Sequence, residues 1–82
     1  MSEIKVYGAD WCPMTQRTLA HLRHLGLEHK YVNIDQDPHA RKWVEEQNDG
    51  KAKTPTVDIG GRILSEPSNH ELDEVLAGAG RL

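Results

Sequence analysis

Hydrophobic positions in this chain fall into short, partly alternating runs separated by stretches of helical spacing. Ile4, Val6 and Tyr7 lie in a run over 3–7 that stops at Gly8, the pattern of a short strand. Leu19, Leu22 and Leu25 then recur every third residue, which is helix period, and predict a helix over 13–25 stopped by Gly26. Tyr31, Val32 and Ile34 mark a second strand within 27–35. Asp37 suits an N-cap and Pro38 a first helical residue, so a second helix runs on through Trp43, Val44 and Gln47 until Asn48-Asp49-Gly50. Thr56, Val57 and Ile59 favour a strand, with Pro55 at its start, where a missing N–H is tolerated. Gly60-Gly61 reads as a two-residue hairpin, and residues 62–65 as the returning antiparallel strand. Ser68-Asn69-His70-Glu71 has the form of a capping box, opening a last helix that sets Leu72, Val75 and Leu76 on one face and ends at Gly78-Ala79-Gly80.

The assembled order, β-α-β-α-β-β-α, predicts one α/β domain over 1–82, a four-stranded mixed sheet with helices on both faces. Its opening strand–helix–strand unit is a right-handed crossover between parallel strands. That places the start of the first helix at the carboxyl end of the first strand, where open α/β sheets gather their ligands.

With 82 residues, 37% of them hydrophobic and no Phe, the core must be thin, and Tyr7, Trp11, Tyr31 and Trp43 carry most of the large-volume packing or recognition. A single cysteine excludes an intramolecular disulfide and with it a stapled secreted scaffold. The start has neither a basic region nor a long apolar run, and nothing approaches the ~20 apolar residues of a membrane span. A net charge of −3 with both signs interspersed argues against nucleic acid as a partner. A cytoplasmic protein is expected. His21 and His24 share a helix face, but with no cysteine or third ligand nearby they read as a solvated face rather than a metal site.

The lone cysteine is where chemistry concentrates. Pro13 fits the first helical position, so Cys12 falls at or beside the N-cap, close to unpaired backbone N–H groups and the positive end of the helix dipole. Both favour thiolate over thiol, and the thiolate is the nucleophile. Thr15, one turn on, can donate a further hydrogen bond to the sulfur, whereas Asp10 works against a second negative charge. The bland alternative is a buried, inert small hydrophobe.

Trp11-Cys12-Pro13 at a helix start, followed by Thr54-Pro55-Thr56-Val57 before a glycine-turned hairpin and then Glu66-Pro67-Ser68, resembles the glutaredoxin branch of the thioredoxin superfamily. The likeness runs from Ile4 to Leu76 and is greatest to the mycoredoxin-like bacterial members. It implies the thioredoxin-like fold and a thiol–disulfide oxidoreductase, with glutathione or a related low-molecular-weight thiol as co-substrate and no metal. Thiol-containing or mixed-disulfide proteins would be its partners, and a monomer is expected. By the same resemblance Cys12 is the catalytic nucleophile, with Thr15 beside it as the donor to its thiolate, Pro55 is the cis-proline opposite the cysteine, and Thr54 offers its backbone to the ligand. Lys53 would meet the glycyl carboxylate of the small thiol. Glu66 and Ser68 would lie where the γ-glutamyl end is held, with Trp11 and Pro13 flanking the sulfur. The departures are Thr15 in place of a second cysteine, Gly8 where a lysine is common, and Lys53-Thr54 where Thr-Val is usual. Two alternatives follow. One is a dimer sharing a [2Fe–2S] cluster through Cys12; the other is a dithiol protein that lost its second cysteine, by nature or by engineering.

Overall fold

A computed structural model describes residues 3–82. Its elements are β1 (Ile4–Gly8), α1 (Pro13–His24), β2 (Lys30–Asn33), α2 (Pro38–Gln47), β3 (Thr56–Ile59), β4 (Arg62–Ser65) and α3 (Asn69–Gly78). The strands form one mixed sheet in the order β2-β1-β3-β4, with β1 and β2 parallel and the other pairs antiparallel. The predicted architecture is the observed one.

Strand parity sorts the two layers. Ile4 and Val6 point to one face of β1 and pair with Ile59 and Val57 of β3, which share that face. Leu19 and Leu22 of α1 and Leu72 and Leu76 of α3 close over them as the main core. Tyr7 and Thr56 point to the opposite face, where α2 packs. There the Tyr7 and Trp43 rings lie 4.6 Å apart, and Asn48 at the C-cap of α2 donates from Nδ2 to Thr56 Oγ1 at 3.2 Å. No helix among the described residues is long and apolar enough to cross a membrane.

Local chemistry fixes the joints. Gly26, at φ +70°, ends α1 in a Schellman motif: its N–H bonds Arg23 O and that of Leu27 bonds Leu22 O. Gly60 and Gly61 both take positive φ, as a two-residue hairpin turn with the twist of its strands requires. β2 is shorter than the run over 27–35 suggested. Residues 27–29 are still leaving α1, and at the other end Asn33 Oδ1 accepts from Asp35 N at 2.9 Å, turning the chain out of the ladder. His21 is also not on a solvated face. Its side chain is 15% exposed and its Nε2 lies 2.7 Å from Asp73 Oδ1, tying α1 to α3. Among the described residues no three of His, Cys, Asp and Glu gather into a group that could hold a metal ion.

Candidate active site around Cys12

The parallel pairing of β1 with β2 brings two chain segments side by side at one end of the sheet, residues 9–12 and residues 33–35. Residues 9–12 form a turn, Cys12 N donating to Ala9 O at 3.1 Å, which delivers Cys12 to the N-cap of α1. Cys12 is extended (φ −84°, ψ 116°), Pro13 follows as the first helical residue, and the Cys12 side chain makes no cap bond. Its carbonyl accepts the first helical bond, from Gln16 N. Cys12 is buried, 6% exposed. The position read from the sequence is the position found.

Facing it across the sheet is the loop before β3, in which the Thr54–Pro55 peptide is cis and Pro55 is buried. Cys12 Sγ lies 3.6 Å from Thr54 O, the thiol donating. Beneath the sulfur Thr15 is fully buried, its Oγ1 accepting from Ala9 N at 3.4 Å. A hydroxyl that accepts there still has its own proton to give to the sulfur. Burial pushes the Cys12 thiol up, but the Thr54 hydroxyl, the Thr15 hydroxyl and the backbone N–H groups of Thr15 and Met14 outweigh it, leaving the thiol more acidic than free cysteine. Each bond to a charged group is worth about 1.5–3 kcal/mol, more than the ~1 kcal/mol ceiling of an exposed charge contact.

Gly8 explains how Thr15 fits. A Cβ at position 8 would come 2.5 Å from Thr15 Cγ2 and 2.6 Å from Thr15 Oγ1, well inside contact distance. The glycine at the end of β1 and the β-branched residue in the first turn of α1 are therefore matched to one another.

Trp11, the residue before Cys12, is 71% exposed, and its indole Nε1 donates to Asp35 Oδ2 at 2.8 Å. Arg41 of α2 lies 3.8 Å from the other oxygen of Asp35. Tyr31 donates its hydroxyl to Asp10 Oδ1 at 2.7 Å, and Gln16 Nε2 donates to Asp10 O at 3.1 Å. Pro13 is exposed beside the thiol. Lys53 is partly exposed, its carbonyl accepting from Thr56 Oγ1 at 2.8 Å. Glu66 takes φ +47° and donates its N–H to Pro55 O at 2.8 Å, fastening the turn after β4 to the cis-proline loop. Arg17, a turn beyond the thiol on α1, reaches Pro67 O at 3.5 Å. Ser68 caps α3 in a complete capping box: Ser68 Oγ accepts from Glu71 N at 3.1 Å, and Ser68 N donates to Glu71 Oε1 at 3.0 Å. The Ser68 hydroxyl and N–H are thus already engaged. Helix geometry leaves the N–H groups of Asn69 and His70 without intrahelical partners.

Tyr31, Asp35, Asn48 and Thr56 belong to this region. The sequence marked Tyr31 only as a strand residue and for packing or recognition, and Thr56 only as a strand and motif residue, and did not single out Asp35 or Asn48 for the site. The parallel order could have pointed to Asp35, because the carboxyl ends of adjacent parallel strands lie together. For Asn48 and Thr56, buried bonding partners eight residues apart on different elements, no signal in the linear pattern exists.

Residues 4–64 match the family model described as Glutaredoxin. Mycoredoxin 1 of Corynebacterium glutamicum is 40% identical over 57 residues, 70% of this chain and 70% of that protein. A thioredoxin-like protein solved as a point mutant superposes with a TM-score of 0.83 at 26% identity, covering 94% of this chain and 97% of its own. The glutaredoxin of Archaeoglobus fulgidus superposes with a TM-score of 0.75 at 26% identity, covering 93% and 87%. The chain belongs to the glutaredoxin family of thioredoxin-fold thiol–disulfide oxidoreductases.

Proposed function

We propose that this chain works as a monothiol oxidoreductase on mixed disulfides between proteins and glutathione or a related small thiol. The observation that carries the reading is the start of α1, where the lone cysteine is an N-cap without a side-chain cap bond and is more acidic than free cysteine. In the first step the Cys12 thiolate attacks the small-thiol sulfur of the mixed disulfide. The new S–S bond joins Cys12 to the small thiol, and the protein leaves as a thiolate that takes a proton from water. In the second step the thiolate of another small-thiol molecule attacks the small-thiol sulfur now bound to Cys12. The small-thiol disulfide departs and the Cys12 thiolate is regenerated. Electrons balance with one enzyme thiol, and no resolving cysteine enters.

Thr15 and Thr54 donate to the thiolate in this scheme. The backbone at Thr54-Pro55 receives the extended part of the ligand as an added strand would. Trp11 and Pro13 bound the entry to the sulfur, and Lys53 meets a carboxylate of the small thiol. The segment from Glu66 to Ser68 leads to the α3 terminus, where the N–H groups of Asn69 and His70 suit the other carboxylate. The test is the rate of Cys12 alkylation against pH, followed by mass spectrometry, together with turnover of a glutathione-mixed-disulfide peptide. A midpoint below that of free cysteine with catalysed turnover is expected. An ordinary midpoint without turnover would overturn the reading.

A further inference from the structure

Asp10 presents a puzzle for a thiolate nucleophile, since it puts a carboxylate two residues before Cys12 on the turn that delivers the sulfur. The groups on the surrounding elements are mixed in sign. Asp10 lies on that turn and Tyr31 on β2. Asp35 follows β2, held by Trp11 and near Arg41. Lys53 lies on the cis-proline loop, Glu66 after β4, and Arg17 on α1 against Pro67 O. Of the carboxylates, Asp10 is nearest to Cys12 in sequence, and its Oδ1 accepts the Tyr31 hydroxyl proton at 2.7 Å. Tyr31 can reach it because β2 runs parallel to β1 with Tyr31 opposite Val6, the ring packed on the core and the hydroxyl turned toward the site.

Resting on the nucleophilic role of Cys12, we infer that Tyr31 is a positioning residue for the thiol: its hydroxyl holds the Asp10 carboxylate and withholds that negative charge from Cys12. The geometry of the Tyr31–Asp10 bond carries it, with the hydroxyl 2.7 Å from Asp10 Oδ1. The Tyr31 hydroxyl itself is held far above its ordinary range, by burial first and then by the bond to Asp10, with the charges of Asp10, Asp35 and Cys12 adding to it. It therefore keeps its proton while the thiolate forms, so the bond to Asp10 persists through the reaction. A phenol bonded to a carboxylate is a charge-assisted hydrogen bond, strong enough to fix the orientation of an exposed side chain.

The experiment is the pH profile of iodoacetamide alkylation at Cys12 in the wild type, Tyr31→Phe, Asp10→Asn and the double variant, with thermal unfolding of each. Tyr31→Phe should slow alkylation about three- to tenfold at a pH below the wild-type midpoint, as an unheld carboxylate opposes the thiolate. Asp10→Asn alone should stay within about twofold of wild type, and the double variant should return to it. A wild-type profile in Tyr31→Phe would overturn the inference. So would a Tyr31→Phe defect that persists when Asp10 is already Asn, since the effect would then not pass through the carboxylate. Should Tyr31→Phe fail to fold, Asp10→Asn decides alone, and an acceleration of threefold or more would show that Tyr31 does not shield the thiol. A wild-type thiol no faster than free cysteine would instead remove the oxidoreductase reading, before any variant is made.

Discussion

Helices α1 and α3 both begin with an extended N-cap residue, Cys12 at φ −84°, ψ 116° and Ser68 at φ −73°, ψ 164°. At α3 the side chain of Ser68 accepts the Glu71 N–H, and the Glu71 carboxylate returns to the Ser68 N–H. That carboxylate is held below its usual range by the Ser68 N–H first and the Ser68 side chain second. At α1 there is no side-chain cap bond and no acidic residue in the first turn. A neutral thiol is a poor acceptor, so α1 forgoes the roughly 1 kcal/mol that a good cap supplies. Once Cys12 ionises, its sulfur can take the N–H groups of Met14 and Thr15, which already favour the charged form. In α1 capping and activation are one event. α3 completes its cap with its own carboxylate and so leaves less for a ligand.

That contrast can be broken most severely at Cys12. Cys12→Ser should abolish mixed-disulfide turnover while circular dichroism stays native. The same variant should change the pH dependence of stability. The folded-state pKa of Cys12 is below its unfolded value, so the thiolate contribution is fully present above the unfolded pKa and is lost as pH falls through the folded pKa. Urea unfolding of the wild type should show stability rising across that window, and the serine variant should lack this rise.

Gly8→Ala attacks the floor of the same site. Its Cβ would sit 2.5 Å from Thr15 Cγ2, and overpacking of this kind costs about 2 kcal/mol. Urea midpoints should fall accordingly, and Thr15→Ala in the same chain should recover most of the loss. If Gly8→Ala unfolds at the wild-type midpoint, the matching of the two residues is wrong.

Thr15→Val keeps the shape and removes the hydroxyl. Loss of one bond to a charged acceptor should slow Cys12 alkylation about tenfold below its midpoint, with Thr15→Ser close to wild type. Equal rates in the valine and serine variants would assign the acidity to the backbone N–H groups instead.

The smallest effect is expected at α3. Glu71→Ala should lower the urea midpoint slightly while lowering the KM for glutathione about twofold, because the Ser68 N–H is released to a carboxylate of the ligand. An unchanged or higher KM would argue that the small thiol does not reach this helix terminus.

Much of the molecule was legible without coordinates. The capping box at Ser68, the Asp37 N-cap, the stop at Gly26 and the Gly60-Gly61 hairpin all appear where the linear pattern put them. Each rests on bonds among residues a few positions apart, so residue type and spacing suffice. The placement of Cys12 at the N-cap belongs to the same class, since Pro13 announces it. The state of the thiol does not. Thr54 comes to the sulfur from 42 positions away, Asp35 reaches Trp11 across 24, and Tyr31 reaches Asp10 across 21. Asp10 reads as a liability along the chain and becomes a held group only in three dimensions. Whether its charge opposes the thiolate depends on where β2 sets one hydroxyl, and sheet pairing decides that.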